Sequence, residues 1–245
     1  MSRPVLLIAG GSRGIGAACA RLAGQRGYDV AIVYRSNAAA AAKVVDAVKA
    51  GGGKAVAIAG DVTGEAEIVR CFDEATAALG PVTHFVHCAG IVGDASRLED
   101  VTAETVREVI ELNTIGGLLC LRECVRRMST KKGGKGGAVV MLSSMAATIG
   151  GGGECVWYAA AKAGVDAMIV GASREVAKEG MRVNAVSPGV IDTDIQPPGR
   201  IERVTPVLPM GRAGQADEVA EAILFLLSDA ASYVNGANLR VSGAR

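Results

Sequence analysis

The stretch that decides the fold is Val5-Leu6-Leu7-Ile8-Ala9-Gly10-Gly11-Ser12-Arg13-Gly14-Ile15-Gly16. Five apolar residues in a row, Val5–Ala9, read as a strand covered on both faces. Helical periodicity begins at Ile15 and runs to Gln25. At this junction Gly10, Gly14 and Gly16 permit positive φ and close backbone approach. A helix that opens directly after such a loop offers free N–H groups and the positive end of its dipole to an anion. A lone glycine pattern is weak, and a ligand-free turn is its bland reading. Here the strand before and the helix after supply the context that a phosphate-binding loop requires.

The rest of the chain repeats the alternation. Val30–Tyr34, Ala55–Ala59, Val82–Val86, Ala138–Leu142, Arg182–Val186 and Asn238–Val241 read as further strands. Ala38–Ala50, Glu65–Leu79, Ala103–Ser129, Tyr158–Lys178 and Ala216–Leu227 read as helices. A βαβα order predicts an α/β protein: a single-domain Rossmann fold over residues 1–245, with a doubly wound parallel sheet of about seven strands and helices on both faces. Pro197, Pro198, Pro206 and Pro209 mark an irregular loop or lid within 190–212, the expected substrate loop.

Composition excludes several classes. Lys plus Arg exceed Asp plus Glu by one, which argues against a nucleic-acid partner. Mean hydropathy is +0.31, yet no apolar run reaches the roughly 18–20 residues of a membrane span. Two histidines leave little room for a zinc site or a Ser-His-Asp triad. Six scattered cysteines without a C-x-x-C pair read as reduced thiols, and with no signal-peptide layout the expected location is cytoplasmic.

Tyr158 and Lys162 stand one helical turn apart and project from one face. A free tyrosine titrates near 10. A neighbouring ammonium stabilises its phenolate, so the pair can exchange a proton with a hydroxyl or carbonyl. A chance helical pair is the bland reading. Ser143-Ser144, at the end of the fifth strand and fourteen residues upstream of Tyr158, makes chance much less attractive. After the second strand, where an NAD site places Asp or Glu, stands Arg35-Ser36. With Arg13, Arg35 can clamp a 2′-phosphate, which favours NADP(H) over NAD(H). Two solvated surface arginines are the alternative.

Together Gly10/Gly14/Gly16, Asp61, Asn113, Ser144, Tyr158, Lys162 and Ser187-Pro188-Gly189 resemble the classical short-chain dehydrogenase/reductase family, over almost the whole chain. The likeness extends to its 3-oxoacyl-[acyl-carrier-protein] reductase and glucose 1-dehydrogenase-like members. It implies an NAD(P)(H)-dependent oxidoreductase acting on a small carbonyl or alcohol substrate: a 3-oxoacyl thioester, a ketone or a sugar. In it Tyr158 is the general acid/base, Ser144 polarises the carbonyl and Lys162 also binds the nicotinamide ribose. Asn113 holds a water of the proton relay. The implied cofactor set is Gly10, Ser12, Arg13, Gly14, Ile15, Gly16, Arg35, Ser36, Asp61, Val62, Ala89, Gly90, Tyr158, Lys162, Pro188, Gly189, Ile191 and Thr193, with no metal. A homotetramer, or a homodimer, is implied as well.

Two departures from the pattern stand out. Ala9 replaces the usual threonine of the loop, and His87-Cys88 replaces an Asn-Asn pair after the fourth strand. His87 is expected to take over one bracing hydrogen bond and Cys88 to be a small buried residue. Because both changes erode the cofactor site, a catalytically silent dinucleotide-binding sensor or scaffold is the competing reading. Cys120, Cys124 and Cys155 read as packing residues. Trp157 and Tyr233 are candidates for a subunit contact, and Arg200 and Arg203 read equally as solvated or as phosphate contacts.

Overall fold

A computed structural model describes residues 3–245. The chain runs β1 (Val5–Ala9), α1 (Gly14–Gln25), β2 (Asp29–Tyr34), α2 (Ala38–Ala50), β3 (Ala55–Ala59), α3 (Glu65–Leu79) and β4 (Val82–His87). There follow α4 (Ala103–Ile110), α5 (Gly117–Met128), β5 (Gly137–Leu142), the short α6 (Ala146–Ile149), α7 (Val156–Val176) and β6 (Met181–Pro188). The last elements are β7 (Ile191–Asp192), α8 (Arg200–Val204), β8 (Gly214–Gln215), α9 (Ala216–Leu227) and β9 (Asn238–Val241).

Seven strands form one sheet in the order β3-β2-β1-β4-β5-β6-β9. Every pairing in it is parallel. Alternate side chains of a strand point to opposite faces, and both faces here are covered. Leu7, Val33, Phe85, Val139 and Val183 pack with α3, α5 and α7 on one side. Leu6, Ile8, Ile32, Val86 and Val140 pack with α1, α2 and α9 on the other. The near-continuous apolar runs of the sequence are therefore two interleaved cores. Strand order reverses between β1 and β4, which opens a crevice at their carboxyl ends where doubly wound sheets take ligands.

Two elements depart from expectation. The helix anticipated over 103–129 is interrupted by a π-helical turn, Glu111–Gly116, that joins α4 to α5. The Asn113 side-chain amide donates to the Val109 carbonyl at 2.9 Å, the oxygen that α-helical pairing assigns to Asn113's own N–H. A wider turn follows. The stretch around 196–210 is not wholly irregular. It holds α8 and a 3₁₀ turn, Thr205–Val207, bounded by Pro197-Pro198 and by Gly199 at φ +74°. Its base is closed by parallel pairing of β7 with β8. The segment thus forms a flap with an anchored root.

Candidate active site

The carboxyl edge of the sheet carries the sequence-predicted residues in strand order. Gly10 and Ser12 follow β1, Arg35 and Ser36 follow β2, Asp61 and Val62 follow β3, and Ala89 and Gly90 follow β4. Gly10 and Gly11 both donate their N–H to the Val33 carbonyl, at 3.0 and 3.1 Å. The loop is thus closed by backbone alone, without the threonine that Ala9 replaces. Gly10 has φ +78°, and a Cβ there would sit 2.6 Å from the Ala89 nitrogen. A Cβ at Gly16 would sit 2.2 Å from the Gly10 oxygen. No side chain caps the N-terminus of α1, and its first turn holds no acid. The orphan N–H groups and dipole end are left for an anion.

Arg13 and Arg35 are exposed, and among the described residues neither has an acidic partner within salt-bridge distance. Asp61 accepts from the Thr63 N–H at 3.0 Å and the Thr63 hydroxyl at 2.9 Å through one oxygen, Oδ1. It ties its own loop, while Gly64 stands at the N-terminus of α3.

A cavity of about 480 Å³ opens beside this edge. Ser144, Tyr158 and Lys162 line it, as do Ile15, Gly90, Pro188, Gly189, Ile191 and Thr193. Strand β5 ends just before the two serines, which face opposite ways. The Ser143 hydroxyl is buried and donates to the Lys162 carbonyl at 3.3 Å. The Ser144 hydroxyl accepts from the Ala146 N–H at 3.1 Å and, like Tyr158, lines the cavity. Tyr158 lies in the first turn of α7, and Lys162 one turn on.

Burial pushes the Tyr158 phenol up to about 12, with the Ser144 hydrogen bond pulling the other way. This corrects the expectation that Lys162 lowers it. The lysine ammonium lies 5.7 Å from the ring centroid and gives its hydrogen bond to the Leu142 carbonyl, at 2.7 Å. Burial in turn pushes Lys162 down to about 8. Asn113 is buried beneath the cavity floor. Its amide donates to the Ile91 carbonyl at 2.8 Å as well as to Val109, while its Oδ1 has no partner. A Cβ on Gly90 would lie 2.5 Å from that oxygen and 3.6 Å from Lys162 Nζ. Only glycine at 90 lets the backbone lie this close to Asn113 and Lys162.

Other expectations meet different fates. His87 is buried, but its Nε2 has no partner, so the bracing bond anticipated for it is absent at that nitrogen. Burial, and then the Lys162 charge, push it down to about 3. It is a neutral packing residue between Phe85 and Gly117. Trp157, a candidate for a subunit contact, is instead buried and donates to the Val92 carbonyl at 2.8 Å. Cys120, Cys124 and Cys155 are buried as expected. Sequence reasoning missed the ion pair of Arg200 with Glu154 at the cavity wall, 2.7 Å long. The charge of each was visible, but not their meeting across 46 residues.

Unfolded Lys162 titrates at its ordinary value near 10.5 and folded Lys162 near 8. Between those values the unfolded chain binds more protons, so stability rises with pH across that window. Below it the buried charge costs on the order of a few kcal/mol. Lys162→Met is therefore expected to melt higher than the parent at pH 7 without cofactor, with the advantage shrinking toward pH 10.5. Calorimetric melting curves at several pH values check this; a lower-melting variant at pH 7 contradicts it.

The comparisons agree with this geometry. A family model described as Enoyl-(Acyl carrier protein) reductase matches residues 9–243. The chain is 44% identical over 245 residues to "Uncharacterized oxidoreductase YgfF" of Escherichia coli (strain K12), covering 98% of this chain and 99% of that protein. It is 36% identical to "Carbonyl reductase family member 4" of Xenopus tropicalis, covering 98% and 96%. The solved structure of a short-chain dehydrogenase/reductase from Serratia marcescens BCRC 10948 superposes with a TM-score of 0.91 at 27% identity, covering 99% and 98% of the two chains. With its parallel sheet, glycine loop and Ser-Tyr-Lys cavity, this chain belongs to the short-chain dehydrogenase/reductases, a family of dinucleotide-dependent oxidoreductases.

Proposed function

We propose that this chain is an NADPH-preferring carbonyl reductase, running in reverse as an alcohol dehydrogenase, with Tyr158 as its general acid/base. The observation that carries the reading is the meeting of Ser144, Tyr158 and Lys162 on the lining of one cavity at the carboxyl edge of the sheet. Two hydroxyls converging on one point suit the two lone pairs of a carbonyl oxygen. Bound NADPH supplies the hydride that reduces the carbonyl carbon. Tyr158 gives its proton to the carbonyl oxygen, and Ser144 holds that oxygen in place. A phenol kept protonated by burial is ready for this step. Lys162, one turn along α7 on the same cavity lining, would hold the nicotinamide ribose. Asn113 Oδ1, buried without a partner, is an unused acceptor for a water that returns the proton.

The cofactor roles assigned to Gly10, Ser12, Arg13, Gly14, Ile15, Gly16, Arg35, Ser36, Asp61, Val62, Ala89, Gly90, Pro188, Gly189, Ile191 and Thr193 are supported by their position at or beside the carboxyl edge of the sheet. The tight cradle at Gly10 and Gly16 fits a pyrophosphate, and the unpaired Arg13 and Arg35 fit a 2′-phosphate. Residues 190–212, with α8, form the substrate flap. Six free cysteines fit a reducing compartment such as the cytoplasm. Among the described residues no helix is long and apolar enough to cross a membrane, and a net charge of +1 suits a small-molecule enzyme rather than a nucleic-acid binder. A homotetramer is supported by exposed Ile115, Leu118 and Val170 along the π turn, α5 and α7, and by Phe225 and Leu239 on α9 and β9.

Tyr158→Phe is expected to cut turnover at least about 100-fold, since general acid catalysis contributes roughly 10²–10⁴. It should retain NADPH binding, read by fluorescence titration. Turnover like the parent's would refute the mechanism, and tight NADPH binding with no carbonyl reduced by the parent would favour a silent sensor. Arg35→Glu is expected to raise the KM for NADPH about 10- to 100-fold and to leave NADH preferred. Unchanged selectivity in steady-state kinetics would sink the assignment. Light scattering is expected to give a mass of four chains, and a monomer mass would contradict the assembly.

A further inference from the structure

Arg200 opens α8, the short helix of the flap, and lines the same cavity as Ser144, Tyr158 and Lys162. Its side chain is only 14% exposed, whereas Arg203, one turn on, is 66% exposed. One arginine is turned into the cavity wall and the other into solvent. The Arg200 guanidinium carries five N–H donors. Its Nη2 meets Glu154 Oε2 at 2.7 Å, while its Nε is buried without a partner. A largely buried cation with one acidic partner and spare donors is incompletely satisfied. The charge also reaches the reactive centre, where it acts to lower the Tyr158 phenol against the larger effect of burial.

Glu154 has a second place to go. Its Oε1 lies 3.5 Å from Arg203 Nη2, so leaving Arg200 does not strand it. The charged side chains of the cavity lining are three cations, Lys162, Arg200 and Arg245, against Glu154 alone. Cations thus outnumber carboxylates on the lining, and the one carboxylate touching Arg200 belongs to the protein itself.

We propose that the substrate carries a carboxylate, that Arg200 receives it, and that Glu154 holds the guanidinium in the substrate's absence. This rests on the carbonyl-reductase reading and names its substrate class. The planar fork of arginine matches a carboxylate bidentately, and Glu154 demonstrates that a carboxylate fits beside it. The rival account is a latch, in which the Arg200–Glu154 pair merely pins α8 to the glycine-rich loop 150–153. The two accounts differ in sign. A latch predicts that removing either partner has the same effect. A receptor with an internal competitor predicts opposite effects.

The test uses the NADPH-loaded enzyme with 5-oxohexanoate and its primary amide. The keto acid is expected to exceed the amide in kcat/KM by about 10- to 100-fold, the span of a charge-assisted hydrogen-bonded pair. Arg200→Gln should collapse that preference toward unity by raising the KM for the acid. Glu154→Gln should lower the KM for the acid. Equal use of acid and amide by the parent overturns the proposal, as does movement of both variants in one direction. Should neither compound be turned over, calorimetry with hexanoate and hexanamide on the NADP-loaded protein decides. Preferential binding of hexanoate that Arg200→Gln abolishes upholds the receptor, and its absence overturns it. Failure to oxidise NADPH with any carbonyl compound counts against the reductase reading instead.

Discussion

The site depends on one buried ammonium. Lys162 is 4% exposed and its hydrogen bond goes to a backbone carbonyl, that of Leu142, rather than to a carboxylate. A charge in that position is costly, and the same burial drives the groups around it toward their neutral forms. His87 is pushed down to about 3, the Cys88 thiol is pushed up to about 12 by burial, and Tyr158 is held as a phenol. Lys162 itself falls to about 8. The constellation is thus a set of protons held near their point of transfer. It exists only because β4, β5, the π turn and α7 all end at one place: His87 and Cys88 come from the first, the Leu142 carbonyl from the second, Asn113 from the third and Lys162 from the last.

This makes the parallel sheet more than a scaffold. Parallel strands all deliver their carboxyl ends to the same edge, and that edge receives both the glycine loop and the Ser-Tyr-Lys cavity. The same edge then sorts neighbours. Ser143 and Ser144 are chemically identical, but one is bonded to the α7 backbone while the other accepts from the Ala146 N–H on the cavity lining. The distinction comes from where the chain places them just past β5, not from the residues.

What was legible in the sequence was what local patterns encode. Every sheet strand and the helices α1, α2, α3 and α9 follow from apolar periodicity, and the Tyr158–Lys162 spacing places both side chains on one face. The π turn at Glu111–Gly116 was not legible, because it turns on a competition for the Val109 oxygen between a side-chain amide and the backbone. Such a choice leaves no periodic trace. The fate of His87 was misjudged for a related reason. Histidine has the donors to replace asparagine, but in a core walled by Phe85 and Gly117 no acceptor comes within reach of Nε2.

The Arg200–Glu154 pair illustrates the opposite limit. Neither residue sits in a motif, and each alone has the composition of a solvated surface. Their meaning comes from the flap. Pro197, Pro198 and Gly199 bring the chain back so that α8 begins against the 150–155 loop, and β7–β8 pairing fixes the root of that excursion. The sheet edge holds the reacting hydroxyls rigidly, while both walls that meet at Arg200 are loops rich in glycine and proline. Loops tolerate change that a two-faced core does not. The buried lysine and its neighbours are thus fixed by the sheet edge and α7, whereas the Arg200–Glu154 pair joins two loops outside that frame.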